Sequence, residues 1–217
     1  DRIRNDRWID FQYYFTTTNA VVYAQTYVTA ASDVECQFRL GTSGSYKIWI
    51  NDQLIMSDPE ERNNDLDTYI STVKLSKGVN RVLIQLGSSE IDNCNFMCRF
   101  TDSNGKLIQG LTYSGAYQPY NKTYSYKGTL IPISSEEFYK AKVKEDPTLL
   151  LNYLLLANCY LRNDKSFDAA HVLRDAEKLA PNCVYLLALK AEQASRAKNY
   201  PGMSAILKKL KEVSPDS

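Results

Sequence analysis

The sequence predicts a multidomain chain, all-β first and all-α second: an antiparallel β-sandwich of jelly-roll type, then a short α-helical solenoid. Three observations carry this. Up to about residue 112, apolar and polar residues alternate with a period of two, and turn signals interrupt the runs. From residue 134 the period becomes helical. Prolines recur at 147, 181 and 215, each 34 residues after the last, a spacing that belongs to stacked helix pairs.

Taken in order, six runs read as strands: VVYAQTYVT (21–29), DVECQFRL (33–40), YKIWIN (46–51), TYISTVKL (68–75), NRVLIQLG (80–87) and NFMCRFTD (95–102). Between them GTSG, ND, SKG and DSNGK supply turn chemistry. Six or more short strands with no long helical pattern predict a sandwich or jelly roll, the first domain, over 1–112. SDPEERNNDLD (57–67) is too polar for a strand and reads as a longer surface loop. Residues 113–133 hold tyrosines at 113, 117, 120, 124 and 126. They read as a Tyr-rich linker, or as a segment packed between the domains that extends a sheet edge. The NKT triplet at 121 matches a glycosylation sequon, a pattern frequent by chance.

The helical domain spans 134–217. Its first full unit carries Tyr153, Leu156, Ala157, Tyr160, Ala169, Leu173, Ala176 and Pro181. These match the large–large–small–aromatic–small–large–small–proline pattern of the tetratricopeptide repeat. Small Ala157 and Ala169 let two antiparallel helices approach, and the closing proline cannot continue a helix. In the second unit Leu187, Ala191, Leu207 and Pro215 fit, whereas Lys190, Ala194, Met203 and Leu210 depart, which predicts less regular packing. Residues 134–147 read as the second helix of a preceding unit, with Ser134 or Ser135 as N-cap and Glu137 nearby. Five helices follow: 135–145, 148–162, 166–179, 182–197 and 200–213.

Composition excludes some functions. Hydrophobic residues at 44% and charged residues at 24% describe a chain with a core rather than a disordered one. The net charge is +1 with no basic run, so neither nucleic acid nor a membrane surface is an expected partner. No apolar run is long enough to span a bilayer. The chain opens on Asp1 and reads as a processed form or an excised piece. Five cysteines leave at least one unpaired. Cys36, Cys94 and Cys98 fall on apolar strand faces and Cys159 and Cys183 in helices, and most read as small buried residues. A Cys94–Cys98 bridge is awkward, because residues four apart on a strand lie too far from each other.

Catalytic chemistry finds no foothold. The one histidine, His171, sits in a helix with no nucleophile pattern beside it. CNFMC is a lone thiol pair without zinc spacing, and no glycine-rich phosphate loop occurs. The chain is therefore read as non-catalytic, with no cofactor and no metal.

Binding residues are candidates in two places. If GTSGS (41–45) closes a hairpin, Arg39 lies by Lys47 and Gln37 by Trp49. Trp49 is then the aromatic floor of a polar groove suited to a sugar, with Gln37, Arg39 and Lys47 as contacts. A competing reading starts from the Asn51-Asp52 turn, which sets Trp49 opposite Leu54 and Ile48 opposite Ile55 and makes Trp49 a packing residue. In the helices, the repeat pattern places Leu154, Asn158, Leu161 and Arg162 on a concave face. In the second unit it places Tyr185, Ala188, Glu192, Ser195 and Arg196 there. Asn158, Arg162 and Arg196 suit a peptide backbone or carboxylate; the plainer reading is that two repeats only brace the β domain.

The stretches VYAQTYVTAASDVECQFRLGTSGSYKIWINDQLI and VKLSKGVNRVLIQLG resemble carbohydrate-binding-like jelly rolls of the galactose-binding and PA14-like type. They look most like those of large exported Bacteroidetes proteins that also carry tetratricopeptide repeats and transglutaminase-like domains. The resemblance covers about 20–113, and the repeats about 134–217. It implies a binding and assembly module with a protein or peptide partner, glycan being the other candidate. The alternative it implies is a carbohydrate-binding module of a larger exported enzyme, transglutaminase-like or hydrolase, whose catalytic domain lies outside this chain. A periplasmic or cell-surface location follows from the same resemblance. Related sugar-binding members often hold calcium through acidic residues in the turn before the hairpin. GTSGS has no carboxylate, so such a site is not expected here.

Overall fold

The computed structural model describes residues 8–15, 19–89, 91, 94–122 and 125–215. It divides into two units, one ending at Ile131 and one beginning at Pro132. The first is built on antiparallel strands and the second on helices.

The β unit comprises β1 (Ile9–Asp10), β2 (Ala20–Ala30), β3 (Val34–Ile50), β4 (Gln53–Asn63), β5 (Tyr69–Leu75), β6 (Gly78–Ser88), β7 (Asn95–Thr101), β8 (Thr112–Ser114) and β9 (Leu130–Ile131). All nine join one curled antiparallel sheet, and β3 is its spine. The first half of β3 lies between β5 and β7, and its second half between β4 and β6. β1 extends β7, β9 extends β5, β2 extends β6 and β8 extends β2. Along β3 the side chains of Cys36, Phe38, Leu40, Tyr46, Ile48 and Ile50 are all buried. The two halves of the sheet thus close on one core, where Phe38 meets Phe100 edge-on at 5.2 Å and Ile48 joins Ile84 and Val73.

The predicted turn at 41–45 is strand. Gly41 and Gly44 serve close approach rather than chain reversal. A Cβ on Gly41 would stand 2.7 Å from the Asp65 carbonyl oxygen and 2.8 Å from the Trp8 ring. Gly44 has φ +110, and a Cβ there would stand 2.4 Å from the Gly87 carbonyl oxygen. Thr42 Oγ1 donates to the Asn95 carbonyl at 3.0 Å, securing the crossing point. Small and polar residues read as a loop here because a strand passing from one half of the sheet to the other is crowded on both faces.

The predicted loop at 57–67 is strand as far as Asn63. Its polar side chains bond one another: Arg62 pairs with Asp58 at 3.0 Å and also with Glu60, and the Tyr69 hydroxyl donates to Asp58 at 3.2 Å. Burial pushes the Tyr69 phenol up to about 12, with the Asp58 charge adding to it. The Asn51-Asp52 turn forms as expected, with φ of 49° and 68°, the signature of a tight primed hairpin turn. Trp49 stands opposite Leu54 as expected, but Ile48 stands opposite Met56 rather than Ile55, because the register shifts between Ile48 and Trp49.

Asn80 ties this turn to the next. Its Oδ1 accepts from Asn51 Nδ2 at 2.9 Å and from the Ser76 amide at 3.0 Å. Its Nδ2 donates to the Ser76 carbonyl at 2.8 Å and the Gly78 carbonyl at 3.2 Å. Asn51 Oδ1 in turn accepts from the Arg81 amide at 2.8 Å. The asparagine in SKGVNR is thus the buried bracket of the 76–78 turn, fully enclosed and fully bonded.

The tyrosine segment adds β8 and β9 to the β unit. Tyr117 and Tyr120 pack on Tyr27 at 5.8 and 6.1 Å between ring centroids, and the Tyr120 hydroxyl donates to Asp52 at 2.9 Å. Thr123 of the sequon and Tyr124 lie outside the described residues.

The helical unit contains α1 (Ser134–Glu145), α2 (Leu150–Arg162), α3 (Ser166–Leu179), α4 (Val184–Arg196) and α5 (Tyr200–Val213). Every boundary of the α2–α3 pair recurs 34 residues later in α4–α5. So does the left-handed residue between the helices, Asp164 at φ 51° and Lys198 at φ 54°. Ala157, Ala169 and Ala176 are fully buried where α2 meets α3, as their size requires. The α2 helix starts at Leu150 rather than 148, because Asp146 accepts from the Thr148 amide at 2.9 Å and hydroxyl at 2.7 Å, which holds 146–149 as a turn. The N-cap of α1 is Ile133, not Ser134 or Ser135, and no side chain caps it.

Candidate functional site

Trp49 and Lys47 project from the outer face of the second half of the sheet, where the alternation that buries Ile48 and Ile50 must put them. Strand register orders this face into two adjacent rows. One runs Tyr23 on β2, Gln85 on β6, Lys47 on β3 and Ser57 on β4. The other runs Gln25, Leu83, Trp49 and Leu54 on the same strands. Tyr23 is 58% exposed, Leu54 48%, and Lys47 and Ser57 are exposed, while Trp49 is half-buried between Leu54 and Leu83. Trp49 is therefore neither a core residue nor fully exposed: it stands in register between Leu54 and Leu83, and part of it meets solvent.

Polar contacts lock the row positions. Gln85 Nε2 donates to the Tyr23 hydroxyl at 3.0 Å. Gln25 Nε2 donates to the Tyr27 hydroxyl at 3.0 Å, and its Oε1 accepts from Arg81 Nε at 2.7 Å. Arg81 also pairs with Asp52 at 2.6 Å. Lys47 makes no ion pair among the described residues. Sequence reasoning finds Trp49 and Lys47 but misses Tyr23, Gln25 and Gln85, whose signal is their outward parity on neighbouring strands.

Gln37 and Arg39 are elsewhere. They belong to the first half of β3, and Arg39 is eight residues from Lys47 along one continuous strand, about 26 Å away. No hairpin folds them together. Arg39 Nη2 donates to Gln37 Oε1 at 2.7 Å, Nε donates to Thr101 Oγ1 at 2.9 Å, and Nη1 pairs with Asp67 at 3.3 Å. Arg99 pairs with the same Asp67 carboxylate, which raises the Arg99 pKa. This cluster spends its hydrogen-bonding groups on itself and braces the strands that carry it.

In the helical unit, Asn158 is half-buried and Arg162, Tyr185, Ala188, Glu192, Ser195 and Arg196 are exposed. Leu154 and Leu161, expected on the concave face, are buried at 5% and 0% in the helical core with Leu186 and Leu189. The second helix pair covers these two leucines, so only the equivalent α4 positions stay open. Arg196 pairs with Glu192 at 2.7 Å and also with Asp164 at the 34-residue-earlier bend. His171 lies exposed against Phe167, ring centroids 4.6 Å apart.

All five cysteines are free. Burial pushes the Cys36 thiol up to about 12, and burial with the charges of Glu61 and Asp10 pushes Cys94 up to about 11. The thiolate is the nucleophile, so at pH 8 Cys36 stays almost wholly in its unreactive thiol form even when reached. Iodoacetamide at pH 8, followed by mass spectrometry, is expected to label half-exposed Cys183 well before Cys36 or Cys94; simultaneous labelling would contradict this burial.

Among the described residues, no three His, Cys, Asp or Glu side chains converge as a metal site, and no helix is long and apolar enough to cross a membrane. The fold and its exposed faces define a class: a curled antiparallel β unit joined to a five-helix unit with 34-residue periodicity. No protein-family model matches the chain, and no curated protein sequence does either.

Proposed function

We propose that the chain is a non-catalytic binding and assembly module. It engages a protein or peptide through helices of tetratricopeptide type, and its β unit is of the carbohydrate-binding kind. The observation that carries this is the recurrence of the α2–α3 boundaries 34 residues later in α4–α5, with Tyr185, Ala188, Glu192, Ser195 and Arg196 exposed on α4. An exported Bacteroidetes protein acting in the periplasm or at the cell surface is the setting proposed for it. The test is affinity capture from an extract of the source organism, then calorimetric titration of each captured protein. Tyr185→Ala combined with Ala188→Arg is expected to weaken a true partner about tenfold or more, as loss of an aromatic anchor does. If every captured partner binds this folded variant unchanged, the helical reading is wrong.

A second reading has its own support. The exposed Tyr23–Gln85–Lys47 row beside Trp49 offers rings and polar groups on one outward face, which favours a glycan-binding module of a larger exported enzyme.

A further inference from the structure

The two rows on the outer face of β2, β6, β3 and β4 combine three kinds of group. Trp49 and Tyr23 present ring surface, Trp49 held by its neighbours and Tyr23 by the hydrogen bond at its hydroxyl. Between them stands a polar line. The Tyr23 oxygen is the acceptor in its bond from Gln85 Nε2, so its own O–H proton points elsewhere. Gln85 Oε1 remains as an acceptor on the same row. Lys47 completes the line and is the one charged side chain in the two rows. The neighbouring cation, Arg81, is already neutralised by Asp52, whereas Lys47 has no carboxylate beside it among the described residues.

We propose that this face is a platform for a glycan bearing a carboxylate, with Lys47 as its anion contact and Trp49 and Tyr23 as its stacking surfaces. The inference rests on the glycan reading of the β unit and adds the ligand's charge and place. A pyranose ring presents an apolar C–H face that packs on an aromatic ring, and its hydroxyls need donors and acceptors at its edge. The Tyr23 O–H and Gln85 Oε1 supply these. Four adjacent strands make the strip about 14 Å wide, room for more than one sugar ring.

The lysine decides against a neutral sugar, because an ammonium that makes no ion pair among the described residues attracts an anion and contributes little to a hydroxyl. A peptide strand is disfavoured as the occupant of this platform because it would add at an outer edge, on β2 or β4, whereas Lys47 and Trp49 lie on β3, whose backbone is paired on both sides by β4 and β6. A second copy of the chain is disfavoured because a twofold contact centred on Lys47 would bring it against its own copy, and a contact centred elsewhere would have to supply Lys47 with an anionic partner that the two rows do not contain.

The experiment is calorimetry with three carboxylated probes: tetragalacturonate, a hyaluronan hexasaccharide and sialyllactose. Each is paired with its carboxyl-reduced or desialylated neutral counterpart. At least one acidic probe is expected to bind. Lys47→Gln should weaken it about three- to fivefold, the range of an exposed ion pair, and added salt should weaken the wild type likewise. Trp49→Ala should weaken it about tenfold or more. Because Trp49→Ala risks unfolding, Tyr23→Ala on an exposed side chain provides an independent loss of binding in a chain of unchanged circular dichroism. Equal binding of acidic and neutral partners, untouched by Lys47→Gln, overturns the carboxylate inference and leaves the glycan reading standing. Failure of all six probes overturns both. A dimer detected by sedimentation and dissolved by Tyr23→Ala overturns the platform in favour of self-association.

Discussion

Replacing Gly44 with alanine is expected to destabilise the β unit by about 4 kcal/mol. Two costs add. An L-residue at φ +110 is strained by about 1–3 kcal/mol, and a methyl placed 2.4 Å from the Gly87 carbonyl oxygen forces backbone apart for about as much again. Urea denaturation followed by tryptophan fluorescence reads this directly, because Trp8 and Trp49, the two tryptophans of the sequence, both lie in the β unit. Gly78→Ala separates the two costs. Gly78 has φ +91, but the place its methyl would take has nothing within 4 Å, so only the strain should appear, about 1–2 kcal/mol. Equal losses at both positions would show that the crossing of β3 over Gly87 is looser than described.

Asn80→Ala is expected to cost about 3 kcal/mol. It strands the Asn51 amide, the Ser76 amide and the Ser76 carbonyl in a site where Asn80 itself is fully buried, and each unmet group costs about 1–3 kcal/mol before relaxation. The urea midpoint should fall by about 1–2 M. Asn80→Asp is the sharper probe. It keeps shape and the acceptor but cannot donate to the Ser76 and Gly78 carbonyls, so it should destabilise at least as much at neutral pH. A silent Asn80→Asp would remove the bracket from the account of the turn.

The five helices are legible in the sequence because their signals are local. Alanines at the crossing points and prolines after the helix ends repeat at a fixed interval, and the structure repeats at the same interval. The Asn51-Asp52 turn is legible for the same reason, since both residues tolerate positive φ. The segment 41–45 is not. A hairpin with an odd loop and an uninterrupted strand both keep residues 36, 38, 40, 46, 48 and 50 on one face, so alternation cannot separate them. Its glycines look like freedom to turn, when their role is room for Gly87 and Trp8. Residues 57–63 mislead in the same way, because Asp58 and Glu60 pair with Arg62 along the strand and Asp58 also accepts from Tyr69.

The candidate site divides along the same line. Which side chains leave the core follows from parity, and that places Lys47 and Trp49 outward together. Which outward side chains become neighbours depends on strand partners far away in sequence. That pairing sends Gln37 and Arg39 to Asp67 and Arg99, and brings Tyr23 and Gln85 to Lys47. By itself, the sequence determined the two classes of unit, the helix interval and the inward faces, because backbone period and residue size act over a few residues. Only the tertiary structure decided that β3 runs unbroken between two halves of a sheet, and so which exposed groups share a surface, because that choice is made by contacts between strands dozens of residues apart.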